Sequence, residues 1–173
     1  IVNVTSGPGS INALNGVFGA FVDSLPMIII SGQAQRSTLK INSGIKDLRQ
    51  LGDQEVNIIE MVSGITKYAS LLQEPDDVFD EIEKCFLISI SGRPGPVWLD
   101  VPIDVQSARI PADLINKGRK KEIIFSEIRS KRPRANQDLL LELSDRILKA
   151  QRPTLLVGSG IRGSDSFKSF LKF

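Results

Sequence analysis

The chain has 173 residues, of which 41% are hydrophobic and 24% charged, with a formal net charge of +2. That is enough for one domain, or one domain and part of another, and it is not the composition of a disordered chain. With no histidine and a single cysteine, Cys85, the chain alone builds no Ser-His-Asp triad, histidine base, histidine-ligated metal, internal disulfide or Cys-rich zinc site.

So small a positive excess does not argue for nucleic acid, and the basic run Arg119-Lys120-Lys121 reads as a solvated linker. No secretory signal is visible. The longest apolar run, Met27 to Ile30, is far short of the roughly 20 residues a membrane span needs. The expectation is a cytoplasmic protein with no membrane or nucleic-acid partner. The chain starts on a strand-like run without methionine and stops at Phe173 within a helical pattern, so both ends read as cuts through a longer protein.

In chain order, short apolar strands alternate with amphipathic helices, the pattern of an α/β fold with a parallel sheet. Ile1 to Thr5 is a strand and Ser6-Gly7-Pro8-Gly9 a sharp turn. Ser10 is placed to cap a helix to about Ser24, with Ile11, Leu14, Val17, Phe18, Phe21 and Val22 facing a core. Gly16 and Gly19 each cost that helix about 1 kcal/mol, offset by close approach of a neighbouring backbone. Pro26 to Ser31 is a strand buried on both faces, and Gly32 to Gly44 is irregular.

Glu55 to Ser63 reads as a helix with Val56, Ile59 and Val62 on one face, and Tyr68 to Leu72 as a strand. Pro75-Asp76-Asp77 opens a helix whose Val78, Ile82, Cys85, Phe86 and Ser89 line one side. Gly92 to Pro96 is a rigid turn, and Val97 to Val101 is a strand ended by Pro102. Beyond it, Asn136 to Ala150 is an amphipathic helix, Pro153 to Val157 a strand, Gly158-Ser159-Gly160 a turn, and a further helix starts near Ser164. The domain reading is 1–104, a linker at 105–133, and 134–173 as the start of a second α/β domain.

Thr5 to Asn12 joins a strand to a helix through Gly7, Pro8 and Gly9. Such glycines let a backbone approach a ligand, and amides at a helix start favour polar or anionic groups. The same residues also make a plain turn. The wider set narrows the choice: Gly7-Pro8-Gly9-Ser10-Ile11-Asn12, Asp23-Ser24-Leu25-Pro26-Met27, Ser31-Gly32-Gln33, Gln54-Glu55, Ile65-Thr66-Lys67, Ser91 to Val97 and Asp100-Val101-Pro102. In this order and at nearly this spacing, the set resembles the pyrimidine-binding domain of the acetolactate synthase family of thiamine-diphosphate enzymes. The resemblance covers about residues 1 to 111 closely and runs weakly into Arg152 to Gly160.

The resemblance implies a truncated pyrimidine domain followed by the start of the family's central domain. It places Gly7, Pro8 and Gly9 at the aminopyrimidine ring of thiamine diphosphate. Asn12 belongs to that segment, as a cofactor neighbour or as an amide satisfied in the helix start. Gln33 stands at a strand's carboxyl end, where open α/β sheets bind ligands. Gln54 matches a glutamine facing the substrate, with an exposed helix-start glutamine as the other reading. Gly158, Ser159 and Gly160 match a turn near FAD or ADP in some relatives, and also read as a simple turn. Lys67, Arg93 and Asp100 match but are taken as structural, Arg93 tying its turn to nearby carbonyls; Trp98 and Phe86 are taken as core.

Further expectations follow from the resemblance. The full-length protein is a transferase or lyase acting on a 2-oxo acid, a homodimer or homotetramer, with magnesium and the diphosphate held beyond Phe173. The activating glutamate lies before residue 1. No catalytic residue or metal ligand falls in this piece, which is inactive alone and leaves apolar faces uncovered. Two departures bear on the substrate: Gln35 stands where those synthases carry proline and Asp53 where they carry phenylalanine, and the stretch from Arg36 to Asp53 is longer. An acyl-CoA lyase or decarboxylase on the same fold, and a non-catalytic nucleotide-binding or subunit-interaction module, stay as alternatives.

Overall fold

A computed structural model describes residues 1–119 and 135–173. The chain forms two compact units, Ile1–Arg132 and Pro133–Phe173.

The first unit is a four-stranded, all-parallel sheet of β1 (Val2–Val4), β2 (Met27–Gln33), β3 (Tyr68–Leu71) and β4 (Pro96–Pro102) in the order β1-β2-β4-β3. Helix α1 (Pro8–Val22) joins β1 to β2. The connection from β2 to β3 passes over β4 and carries two short helices, α2 (Lys40–Ser43) and α3 (Ile58–Val62). Helix α4 (Val78–Ile90) leads back to β4, which runs into α5 (Ile103–Gln106) and α6 (Ala112–Arg119). This is the α/β class that the alternation of strands and helices implies, a parallel sheet flanked by helices.

Strand alternation divides the core into two layers. Ile29 and Trp98 pack with Val17 of α1 and with Ile58 and Val62 of α3 on one face. Val97 and Leu99 pack with Leu72, with Cys85 of α4 and with Val105 of α5 on the other. The expectation that Trp98 is core holds, since it is fully buried. Burying it contributes on the order of 3 kcal/mol. Cys85 lies in the dry layer and burial pushes its thiol up to about 11, so it is an inert core residue.

Several local expectations change. The cap of α1 is Gly7 rather than Ser10, because Pro8 already takes the first helical position; the Ser10 hydroxyl instead donates to the Thr5 carbonyl at 3.0 Å. Only Val17 and partly buried Leu14 of the expected apolar set reach the core; Ile11, Phe18, Phe21 and Val22 are exposed, Phe18 at 55%. The helix is apolar around more of its circumference than one sheet face covers. No neighbouring backbone approaches Gly16 or Gly19 within 4 Å of an added Cβ. Strand β2 runs on to Gln33, and α3 is shorter than the expected 55–63. Ile82 of α4 is exposed.

Two cations, half-buried Lys67 and exposed Arg93, fasten the edges. The Lys67 ammonium donates to the Ile88 carbonyl and, at 2.6 Å, to that of Ser91, closing the end of α4; desolvation lowers its pKa. Arg93 donates to the Ser24 hydroxyl at 2.6 Å and the Val22 carbonyl at 3.3 Å, holding its turn against the end of α1.

In the second unit, α7 (Gln137–Lys149) is capped by the Asn136 side chain, which accepts from the Asp138 amide at 2.8 Å. It carries the ion pairs Glu142–Arg146 and Asp145–Lys149, both at 2.6 Å and spaced i,i+4. Its Leu139, Leu140, Leu143 and Leu148 are exposed. The expected strand over Pro153 to Val157 is not formed: no second strand stands beside it among the described residues, and a strand has no ladder alone. Instead of one helix near Ser164, two short ones follow, α8 (Gly160–Gly163) and α9 (Phe167–Phe170). The segment read as a linker, 105–133, includes the ends of α5 and all of α6; its part from 120 onward lies outside the described residues, as do Lys120 and Lys121 of the basic run.

Replacing Lys67 with methionine keeps the packed stem and leaves two helix-end carbonyls without their donor. A loss of about 1–3 kcal/mol is expected, read as a lower urea midpoint at unchanged slope.

Candidate functional site

The carboxyl ends of β1, β2 and β4 open into a cleft of about 800 Å³, bordered by Thr5, Ser6, Gln33, Gln35, Asp53 and Gln106. Open α/β sheets bind ligands on this edge because the strand ends and following loops leave polar backbone free there. Asp53 is the one ionisable side chain lining it among the described residues.

Three segments meet at the cleft. After β1, the chain turns at Gly7, whose φ of 56° is left-handed, a conformation glycine adopts without cost. A Cβ on Gly7 would lie 2.4 Å from the Gln54 carbonyl oxygen. Gln54 itself has φ 54°, which costs a non-glycine residue about 1–2 kcal/mol. On the other side of the same loop, a Cβ on Gly52 would lie 2.6 Å from the Ala34 Cβ. The 52–54 segment is therefore wedged between the Gly7 turn and the residue after Gln33. The Glu55 carboxylate staples it by accepting the amides of Lys40, Leu51 and Gly52 at 2.6, 3.0 and 3.1 Å.

Beneath the cleft lies a buried polar network. In the β2–β4 register Ser31 sits opposite Asp100, with Ile29 opposite Trp98. The Trp98 indole donates to the Ser31 hydroxyl at 2.7 Å, and Ser31 donates to one Asp100 oxygen at 2.5 Å. The Gln33 amide nitrogen donates to the other Asp100 oxygen and to the Val56 carbonyl, each at 2.8 Å, while its oxygen accepts the Ala34 amide at 2.9 Å. Asp100 is 1% exposed and Gln33 6%. Burial pushes the Asp100 carboxyl up to about 6, against the lowering by its bonds to Ser31 and Gln33.

The structure thus brings Gly7, the Gln33 strand end and Gln54 together at the rim of the cleft, which Ser6, Gln33 and Asp53 line and Gly7, Pro8, Gly9 and Gln54 do not. Pro8 follows Gly7 and is exposed, and Gly9 packs against the Thr5 methyl. Asn12 is exposed in α1 and does not line the cleft. Gln33 lines it, but both its amide hydrogens are already engaged. Gly158, Ser159 and Gly160 are exposed in the second unit, at the start of α8. From the sequence Asp100 reads as structural, with no pairing to Ser31 visible. Only the strand register makes that pairing, and a carboxylate in the middle of an apolar strand was its one visible signal.

Gly7→Ala should cost about 2 kcal/mol or more, since it combines a left-handed φ with a backbone clash. Gln54→Gly should be about 1 kcal/mol more stable than Gln54→Ala; equal urea midpoints for the two Gln54 variants would contradict the strained backbone. The folded pKa of Asp100 lies above its ordinary value of 3.8. Its ionised form therefore counts against the fold above pH 6, and its contribution improves as pH falls from 6 toward 4, by about 2 kcal/mol. Asp104, held below the ordinary range by Arg36 at 2.6 Å, works in the opposite sense. The measurement is accordingly the difference between wild type and Asp100→Asn in urea titrations across that window.

Residues 1–61, which hold the Gly7 turn, Gln33 and Gln54, match the family of the thiamine pyrophosphate enzyme N-terminal TPP binding domain. Over 171 residues the chain is 32% identical to the acetolactate synthase large subunit of Buchnera aphidicola subsp. Schizaphis graminum (strain Sg), across 96% of this chain and 27% of that protein. It is 32% identical over 170 residues to the chloroplastic acetolactate synthase of Arabidopsis thaliana, across 97% of this chain and 23% of that one. To the acetolactate synthase large subunit of Lactococcus lactis subsp. lactis (strain IL1403) it is 30% identical over 173 residues, all of this chain and 28% of the relative. The chain spans about a quarter of the length of the curated relatives it matches. A thiamine-pyrophosphate domain match over residues 1–61, with similarity to acetolactate synthases along the whole chain, shows that this chain resembles the thiamine-diphosphate enzymes of the acetolactate synthase kind.

Proposed function

We propose that this chain forms one wall of the active site of a thiamine-diphosphate-dependent carboligase, acting on a small 2-oxo acid. The observation that carries the reading is the meeting of the Gly7 turn and the Gln54 loop at the carboxyl edge of the sheet, backed by the Gln33 network. The cleft fits the uncharged end of the cofactor. Its polar groups are hydroxyls, amides and one carboxylate, and no lysine or arginine lines it among the described residues. The pyrimidine ring would stand against Gly7 to Gly9, and the diphosphate with its magnesium would be held by other parts of the protein. When bound, thiamine diphosphate supplies the carbanion-stabilising centre for decarboxylating a 2-oxo acid and passing its remaining carbons to an acceptor. This chain's own part is to shape the ring's pocket, exclude water with the 52–56 loop and present Gln54 to the substrate.

The names of the relatives favour carboligation over an acyl-CoA reaction or a non-catalytic module. Asp53 would add negative charge beside an anionic substrate, so it favours an acceptor that donates a hydrogen bond over a second bare carboxylate. The exposed apolar stripe of α1, with Ile11, Phe18 and Val22, supports a homodimeric or homotetrameric assembly. No described helix is long and apolar enough to cross a membrane, and a cytoplasmic location remains part of the proposal. FAD or ADP would fall to the second unit, at Gly158 to Gly160.

In the full-length protein, carbon dioxide release from pyruvate should require added thiamine diphosphate and magnesium, and Gln54→Ala should raise the KM for pyruvate about tenfold with a smaller change in kcat. Release that is independent of thiamine diphosphate, or no release, would refute the reading. The 173-residue chain by itself should release none above the buffer rate.

A further inference from the structure

The network around Asp100 has a direction. Trp98 can only donate and the Val56 carbonyl can only accept, while the Ala34 amide can only donate. With the Trp98 indole already pointing at its oxygen, Ser31 turns its own proton toward Asp100. With a carbonyl on one side and an amide on the other, Gln33 has a single satisfactory amide orientation. Both chains of bonds end on Asp100, one on each carboxylate oxygen. A group that accepts at both positions is a carboxylate, and every partner is satisfied only with that residue there.

The far end of the network lies outside the sheet. The bond from Gln33 to the Val56 carbonyl joins β2 to the loop that precedes α3. That loop holds Gln54 in a left-handed conformation against Gly7. A strained residue persists where its surroundings over-determine it, and here Glu55 fastens one end of the segment and Gln33 the other.

We propose that Asp100 and Gln33 are a positioning pair: Asp100 orients the Gln33 amide, and Gln33 tethers the 52–56 loop to the sheet and so keeps Gln54 at the Gly7 turn. The role of Gln54 toward substrate rests on the function proposed above; the tether does not. Asp100 touches neither substrate nor cofactor in this scheme. Its effect reaches them along two hydrogen bonds and one loop.

The decisive variant is the swapped pair, Gln33→Glu with Asp100→Asn, made in the full-length protein with thiamine diphosphate and magnesium present. It preserves the buried charge. The amide at 100 donates to the carboxylate at 33, its oxygen accepts from Ser31, and the Ala34 amide keeps an acceptor. Only the Val56 carbonyl loses its donor. Backbone hydrogen exchange over 52–56 should accelerate about tenfold, with β2 and β4 within about threefold of wild type. The KM for pyruvate should rise about tenfold while kcat falls less than about threefold. Ser31→Ala, which leaves the tether in place, should lower stability with loop exchange unchanged. Wild-type exchange over 52–56 in the swapped pair overturns the proposal, as does a uniform rise across the sheet. Faster loop exchange in a protein whose wild type does not turn over pyruvate supports the tether and overturns the functional reading instead. If the swapped pair does not fold, Gln33→Met carries the same exchange test.

Discussion

A carboxylate in the middle of a parallel sheet is tolerated only when both of its oxygens are occupied by donors, since an unpaired buried charge costs several kcal/mol. In this chain the donors are Ser31 and Gln33, both from the neighbouring strand and both on the same face as Asp100. Two residues back along each strand, that face is the apolar contact between Ile29 and Trp98. The face thus changes from greasy to polar toward the carboxyl ends of the strands. The Trp98 indole joins the halves, its ring in the core and its nitrogen on Ser31. The cleft opens where the polar half meets the loops.

Between β2 and β3 the chain makes a long connection with little regular structure, and side chains hold its shape. Glu55 gathers three backbone amides. Arg36 reaches Asp104 at 2.6 Å and Glu74 at 3.2 Å, and also the Gln73 carbonyl, binding the start of the loop to α5 and to the end of β3. Gly52 allows the loop to lie on Ala34. A loop stapled in this way can present Gln35 and Asp53, where the resembling synthases carry proline and phenylalanine, without losing its frame. The residues that line the cleft can then change while the Gly7 turn and the sheet remain.

The four strands and the helices α1 and α4 of the first unit were legible because their apolar spacing is local, whereas α2, α5 and α6 were not. Met27 to Ile30, Val97 to Val101 and the helix after Pro75 all announce themselves within one window. Ile11, Phe18, Phe21 and Val22 were misassigned to the core for a related reason: periodicity marks an apolar face without saying what covers it. Pro153 to Val157 has strand composition, yet it carries no ladder because a strand depends on a partner supplied by another part of a chain. The candidate site was half legible. Gly7, Gln33 and Gln54 were singled out and do converge, whereas the engagement of both Gln33 hydrogens and the exposure of Asn12 belong to the folded arrangement.

By itself, the sequence determined the alternation of strands and helices, the sharp glycine-rich turn after the first strand, the exclusion of histidine and disulfide chemistry within this chain, and the resemblance that its ordered motifs carry. Those properties lie in single residues or in short windows. The tertiary structure alone decided that Ser31 stands across from Asp100, that Gln33 bonds to Val56 and that Gln54 rests on Gly7. Each of these contacts joins residues far apart in the chain. Parallel strand register and a long crossing loop bring them together, and no local pattern of apolar and polar residues encodes either.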